Sequence, residues 1–540
     1  MKYIVLYPEN ATNYLSCTAA NLASRLEKQG LCASVATALP EEPIKNTAIV
    51  NLVVKKGSDK VVFEKVGRDF TLTAPTEALV SAFCKELFTA IITKKIPKRY
   101  DIRPFVREMW ALALPAYEGG VLCDGIYDCG SGVKNFRIMP CSDESFMQII
   151  AQTDENEFKA YLAKLEKCGF EREYLKTYES AGFGDCTYAA YFDGYHRVYT
   201  YYSAPEKEVR VIEDRASCAY GDFIYKDPAL ENTEATVYSY GIKLHPRGAC
   251  RGEPGGDDQH VNCGQLWVVK QADNSLIVLD GGHNLQATPE AVDGFWKFLH
   301  DITGKGYDEV INIACWMCTH PHGDHFVIPM VIGQTYPELV NFERALYNFP
   351  NGDVVNQVIN DGMVRLLEKQ YPDVKLMKAH AGMEIFLGGT KIEVLTAHED
   401  ATAAQNCATT LKRGNDMDTV YKFTMPGGTK IMVLGDFTAP REPHLITAYA
   451  KEHLECEVVQ VAHHGFNSLP NIYNYISAEY AVWTQHDFRN FDYRRRAIQM
   501  TAYVQTEQAG ARMHFFGDKT VIITCKPDKK VSFKRVDAIF

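Results

Sequence analysis

No stretch of this 540-residue chain approaches the roughly 18 consecutive apolar residues that a bilayer-spanning helix needs. The opening Met1-Lys2-Tyr3-Ile4-Val5-Leu6-Tyr7 meets Pro8-Glu9 too soon for a signal-peptide core and reads as a first β-strand. An excess of positive charge is also missing. The net charge of −11 repels phosphate backbones at long range and disfavours a broad nucleic-acid footprint. There is no regular cysteine framework: 16 Cys are scattered from Cys17 to Cys525, the usage of a reduced, cytoplasmic protein. The CxxC at Cys315 and Cys318 lies inside the apolar run from Ile311, where core packing is the better reading than redox chemistry. Internal repeats and low-complexity segments are absent. Histidine is nearly missing from the first half: of 16, only His196 precedes His245. Any transition-metal chemistry therefore belongs to the second half.

What is present is ordinary globular material, 46% apolar and 23% charged, long enough for three or four domains at roughly 150 residues each. The pattern divides it into a small α+β module over 1–99, a second α+β module over 100–235, and a larger unit over 236–540. In the first, strands are expected at Lys2 to Leu6, Ala48 to Val54 and Val61 to Leu72, with a turn at Gly57-Ser58-Asp59. Helices are expected over Thr18 to Gln29 and Glu77 to Ile92, the second with Leu79, Phe83, Leu87 and Ile91 on one stripe. Lys94 to Arg99 is a basic linker candidate. In the second module, Glu157 to Gly169 reads as a helix. Thr187 to Tyr202 reads as a hairpin about Asp193-Gly194, with Tyr188, Tyr191, Tyr195, Tyr199 and Tyr201 along it. Such tyrosines either pack one another across strands or present a face to a sugar or choline group; packing is the better reading.

Chemistry concentrates in Thr319-His320-Pro321-His322-Gly323-Asp324-His325. An apolar strand from Val310 to Cys318 delivers the chain into this loop. In extended backbone His320 and His322 point the same way and can grip one metal. Asp324 and His325 follow where the chain turns into a helix near Phe326, and can reach a second metal. Two ions about 3.5–4 Å apart clamp both the attacking and the leaving oxygen and lower the pKa of bound water towards about 7.

These residues resemble the metallo-β-lactamase superfamily, whose hallmark is HxHxDH. Leu276 to Asp280 with Gly281-Gly282 resembles its early strand ending in Asp. Lys430 to Asp436 resembles the strand whose terminal Asp bridges the metals, and Val458 to Gly465 the late strand with its terminal His. His463-His464-Gly465, the run Asn415 to Phe423 and the strand and loop Tyr480 to Asn490 are similar to one subgroup. It contains the hydrolase domain of competence DNA-uptake channels and phosphorylcholine esterase. The resemblance spans about 245–530 and implies an α/β fold, an αββα sandwich preceded by the two smaller modules.

The resemblance also implies a ligand set: His320 and His322 on a first metal, Asp324, His325 and His463 on a second, Asp436 bridging both, and Asp280 orienting the loop from behind. Two departures stand out. The separate third His of most members has no counterpart, since His380 and His398 lie outside the usual context and are expected in surface or supporting roles. Phe326-Val327 replaces the usual small residues. Ligation by His and carboxylate without thiolate suits two Zn²⁺ per chain, with Mn²⁺ or Fe²⁺ as alternatives; Cys407 is outside any ligand context.

The expected function is a soluble, cytoplasmic dinuclear zinc hydrolase of a small phosphate-containing substrate. Asp324, His464 and His486 are its candidate catalytic groups, with no nucleic-acid or membrane partner. His464 or His486 would protonate the leaving group or bind a substrate oxygen; the other reading of His486 is a surface loop histidine. Arg489 and Arg494-Arg495-Arg496 could bind phosphate through their forks, or simply begin a solvated helix. The alternatives are a metal-dependent carbonyl hydrolase acting on a lactone, thioester or β-lactam, and a non-catalytic binding protein stabilised by its metals.

Overall fold

From Ile224 onward two twisted sheets face one another, with helices on both outer surfaces, in a computed structural model of the chain. The structure describes residues 2–538 except 10, 12, 40–45, 56–59, 75–76, 78–79, 81–82, 96–99, 102–114, 116, 118–120, 124–125, 129–135, 139–144, 181, 195, 216–217, 242, 244, 247–259, 262, 285–286, 349–356, 402–414, 416–417 and 491–495. The turn expected at 57–59, Cys407, Arg494, Arg495 and most of the basic linker lie outside these residues. Among the described residues, no helix is long and apolar enough to cross a membrane.

One sheet runs Ile224–Lys226, Glu384–Gly388, Thr390–Thr396, Val420–Thr424, Lys430–Val433, Val458–Gln460, Tyr480–Val482 and Met513–Phe515. The other runs Lys375–Lys378, Arg344–Tyr347, Ile311–Met317, Leu276–Asp280, Leu266–Lys270, Ala235–Ser239, Lys519–Cys525 and Val531–Asp537. Helices Pro289–Thr303, Val327–Thr335 and Gln357–Gln370 contribute to the apolar layer on the second sheet, and Glu442–Ala448, Ile472–Ile476 and Arg496–Gln508 to that on the first. This is an αββα sandwich, the layering that the sequence resemblance implies. Its strands are apolar on both faces, as Leu276–Asp280 and Ile311–Met317 show, because each is covered by its partner sheet and by helices. The sandwich begins before residue 236, since Ile224–Lys226 already pairs in parallel with Glu384–Gly388.

Parallel pairing fixes where chemistry can gather. Leu276–Asp280 and Ile311–Met317 are parallel, as are Lys430–Val433, Val458–Gln460 and Tyr480–Val482. Their C-terminal ends open onto one rim of the sandwich, where loops leave the sheets free of ladder hydrogen bonds.

The first module folds on its own core, with the parallel strands Cys32–Ala36, Lys2–Leu6, Thr47–Val54 and Asp69–Ala74 side by side. Its helices cover Asn13–Lys28 and Cys84–Thr93. The single strand expected over Val61 to Leu72 is two, Lys60–Val66 and Asp69–Ala74, because Gly67 (φ 60°) reverses the chain between them.

In the second module, helix Glu155–Lys167 is capped by Asp154, whose carboxylate accepts the amides of Asn156 and Glu157 at 2.8 and 3.0 Å. Cys186–Phe192 and His196–Ser203 form the hairpin about Asp193-Gly194. Its tyrosines pack: Tyr188, Tyr191, Tyr199 and Tyr201 are buried, and Tyr188 stacks on its cross-strand partner Tyr201 at 5.0 Å. Tyr188, Tyr199 and Tyr201 join the core of the sandwich, while Tyr191 faces the helix. No open face is left on these four for a sugar.

His380 and His398 are buried rather than on the surface. His380 sits between the module and the sandwich, with Nε2 2.6 Å from Asp214 and Nδ1 3.0 Å from Glu399. Burial opposes its charge, but these two carboxylates raise its pKa to about 9.

Candidate metal centre

Six side chains converge at the rim. Asp280 ends its strand in a left-handed conformation (φ 58°), and Gly281 follows. A Cβ on Gly281 would lie 2.6 Å from the Phe326 carbonyl carbon and 2.5 Å from Pro329 Cδ, so helix Val327–Thr335 docks directly on this turn. That contact accommodates Phe326, which is fully buried. The strand Ile311–Met317 then feeds Thr319 and the HxHxDH loop into the same place. Cys315 and Cys318 are buried here, with burial pushing the Cys315 thiol up to about 12.

Two groups of donors share one residue. His320, His322 and Asp436 form the first; Asp324, His325, His464 and Asp436 form the second. Asp436 divides its oxygens between them. Oδ2 is 3.7 Å from Nε2 of His320, whereas Oδ1 is 3.2 Å from Nε2 of His325 and 3.6 Å from Nε2 of His464. Nε2 of His464 is also 3.3 Å from Oδ2 of Asp324.

Each buried imidazole is held from behind. Nδ1 of His325 lies 2.8 Å from Asp280 Oδ2, while the Thr319 amide donates to Asp280 Oδ1 at 2.7 Å. Nδ1 of His320 lies 2.8 Å from Asp418 Oδ1 and 3.2 Å from Thr319 Oγ1. Nδ1 of His464 meets Thr484 Oγ1 at 2.8 Å. Every Nε2 is thereby turned into the cluster. There the Nε2 atoms of His320, His325 and His464, together with Oδ1 of Asp436, are buried without a hydrogen-bond partner. Orphaned acceptors at this density are what a cation would satisfy, so the donor set fits a metal centre.

The electrostatics divide: burial opposes charge on His325, but the Asp436 and Asp280 carboxylates hold it well above the ordinary imidazole range. Burial, then the neighbouring His325 and His322, pushes His320 well below the ordinary imidazole range, leaving it neutral as a ligand must be. Burial alone would raise Asp324 and Asp436, but His464 and His325 beside the first, and His463 and His325 beside the second, hold both well below the usual carboxylate range. Asp418 goes the other way, raised well above that range by burial and then by Asp436. Cations at the donor groups would act against that shift.

The sequence places the terminal donor at His463; the structure brings His464 into the second group instead. The strand stops at Gln460, and a tight turn over Ala462–Gly465 holds His463 and His464 at φ 48° and 52°. Alternation of side chains along a strand therefore does not extend to them. His463, with 22% of its side chain exposed, lies on the Oδ2 side of Asp436 at 3.4 Å, and its Nε2 is 3.0 Å from Nδ2 of Asn415. His486 is buried rather than a surface residue and stands outside both donor groups. Arg489 spends its fork on Asp487, through two contacts of 2.8 Å. Arg496 is exposed at a helix start.

The sequence assigns no role to Asp418, Asn415, Thr319 or Thr484, although all four stand within motifs read from it. A hint was available for Asp418, an acid two positions before the buried strand Val420–Thr424.

No family model matches the chain, and no curated protein does. Solved structures similar to it include a Cronobacter sakazakii metallo-β-lactamase with an HARLDQ motif, at 13% identity over 37% of this chain and 71% of that one, TM-score 0.22. Another is CmlA, a diiron β-hydroxylase from Streptomyces venezuelae, at 8% identity over 56% of this chain and 54% of that one, TM-score 0.30. A third is MEM-A1, a subclass B3 metallo-β-lactamase from a soil metagenome, at 11% identity over 46% and 90%, TM-score 0.24. With scores this low nothing rests on these likenesses. The sandwich and its donor cluster stand on their own geometry.

Proposed function

We propose that this chain is a dinuclear metal-dependent hydrolase, with zinc as its metal and a small phosphoester as its substrate. The observation that carries the reading is Asp436, whose Oδ2 faces the orphaned Nε2 of His320 while its Oδ1 faces those of His325 and His464. In this reading His320, His322 and Asp436 hold the first metal. Asp324, His325, His464 and Asp436 hold the second, His464 replacing His463. Histidine and carboxylate ligation without thiolate suits zinc. When bound, the metals supply an activated water and polarise the substrate oxygen.

The remaining work falls on the side chains. Asp280 and Thr484 keep the Nδ1 atoms of His325 and His464 engaged, so both rings stay fixed while substrate enters. His463 is the more exposed of the paired histidines. In this reading the ring, whose Nε2 lies 3.0 Å from Asn415 Nδ2, is the group that protonates the leaving oxygen.

The phosphoester assignment draws on the similarity of His463-His464-Gly465 and the Asn415 to Phe423 run to the phosphorylcholine esterase subgroup. One observation favours a second reading, a carbonyl hydrolase: the fork of Arg489, a candidate phosphate grip, is already filled by Asp487. Turnover of p-nitrophenyl phosphorylcholine and bis(p-nitrophenyl) phosphate against nitrocefin and a homoserine lactone, with zinc-reconstituted protein, separates the two. Faster turnover of the phosphoesters is expected. Preference for lactam or lactone moves the chain to the second reading, and metal binding without any turnover to a binding protein.

A further inference from the structure

We infer that Asp418 is the positioning residue of the first metal site, acting through Nδ1 of His320. The inference rests on the dinuclear reading above. Three segments converge on this one residue. The HxHxDH loop brings His320 to 2.8 Å from Oδ1, and the amide of Thr419 donates to the carbonyl of Thr319 at 2.9 Å, tying the two stretches together. Arg441 donates to the Asp418 carbonyl at 2.6 Å and, from its other nitrogen, to Thr396 Oγ1 and the Ala397 carbonyl at 2.9 and 2.7 Å. It clamps the backbone while leaving the carboxylate to the histidine.

The third segment is the turn Leu434-Gly435-Asp436. Gly435 has φ +57°, and a Cβ there would lie 2.5 Å from Asp418 Oδ1 and 2.9 Å from Thr319 Cβ. Any larger residue would push the carboxylate off His320.

Asp418 approaches Nδ1 of His320 as closely as Asp280 approaches that of His325, 2.8 Å in each case, but only the Asp280 contact is aligned as a hydrogen bond. Asp418 is completely buried, and a buried carboxylate is costly unless something compensates it. Both of its oxygens are buried without a hydrogen-bond partner, so the close approach of Nδ1 of His320, at 2.8 Å, is what offsets that cost; in return the ring is oriented and made more basic at Nε2. At Nδ1, His320 and His325 thus each face a carboxylate, whereas Nδ1 of His464 meets the neutral Thr484.

The test is zinc affinity of the full chain by chelator competition, with zinc content measured alongside. Asp418→Ala should weaken one of the two binding steps about 10–100-fold, the usual effect of losing such a partner. Asp418→Asn, isosteric and still an acceptor, should lie between wild type and Asp418→Ala, and it serves if the alanine variant folds poorly. Gly435→Ala should behave as Asp418→Ala does.

Double variants separate positioning from general loosening. Added to His320→Ala, Asp418→Ala should cost nothing more. Added to His464→Ala, it should keep its full effect. The inference is overturned if Asp418→Ala leaves both steps within about twofold of wild type, or weakens His320→Ala by the same factor as wild type. Wild-type protein that holds no metal would sink the dinuclear reading itself, and this inference with it.

Discussion

Nδ1 of His325 stands 2.8 Å from Oδ2 of Asp280, and the same carboxylate takes the backbone amide of Thr319 through its other oxygen. One acid at the end of one strand thus sets both the ring of a donor and the path of the loop that carries the others. Asp280→Ala should leave the Nδ1–H of His325 and the Thr319 amide buried and unpaired, at about 1–3 kcal/mol each. Urea unfolding should show this loss of stability, and zinc affinity should fall about 10–100-fold. An unchanged affinity would detach Asp280 from the metal centre.

Asp436 faces both donor groups, so Asp436→Ala should lose metal from both positions. Elemental analysis after reconstitution should return well under one equivalent, against two for wild type. Retention of one full equivalent would mean that the groups do not depend on a shared carboxylate.

The paired histidines should separate cleanly. His464→Ala should drop to about one equivalent of metal, because its Nε2 lies among the donors of the second group. His463→Ala should keep both equivalents and lose turnover about 10²–10⁴-fold, the range for a missing general acid. Loss of a metal in His463→Ala with full occupancy in His464→Ala would reverse the two roles.

His380 gives a pH dependence of a definite sign. Its ordinary pKa near 6.5 rises to about 9 between Asp214 and Glu399. A raised folded-state pKa contributes stability that is fully present below about 6.5 and disappears as the pH climbs through about 9. Thermal unfolding between pH 6 and 10 should show a fall in Tm that is shallower in His380→Ala. Parallel curves for the two proteins would remove His380 as its source.

Tyr201 reaches from the second module to Asp400 of the sandwich, and Arg210 donates to its hydroxyl at 2.9 Å. Tyr201→Phe keeps the ring stacked on Tyr188 and removes only these bonds. Stability should fall by about 1–3 kcal/mol, since Asp400 and Arg210 are buried too. A change below about 0.5 kcal/mol in chemical denaturation would show that the module is held by its apolar contacts alone.

Local pattern was enough to find the framework. Four ligand-type residues within six positions, after a buried strand, mark the rim of the sandwich. Apolar runs ending in Asp280 and Asp436 mark the neighbouring strand ends, because a strand covered on both faces must be apolar along its whole length. The hairpin about Asp193-Gly194 was legible for the same local reason. Other features depend on contacts between segments far apart in the chain. His464 rather than His463 joins the donors because the strand stops at Gln460 and the next turn is left-handed, a bend imposed by packing. Asp418 is bound to His320 from almost a hundred positions away, through a gap that only Gly435 leaves open. The tyrosines and His380 are buried because the second module docks on the sandwich, which no periodicity within either segment encodes. Spacing specifies which chemistry a loop can offer; the meeting of strand ends decides which atoms face one another.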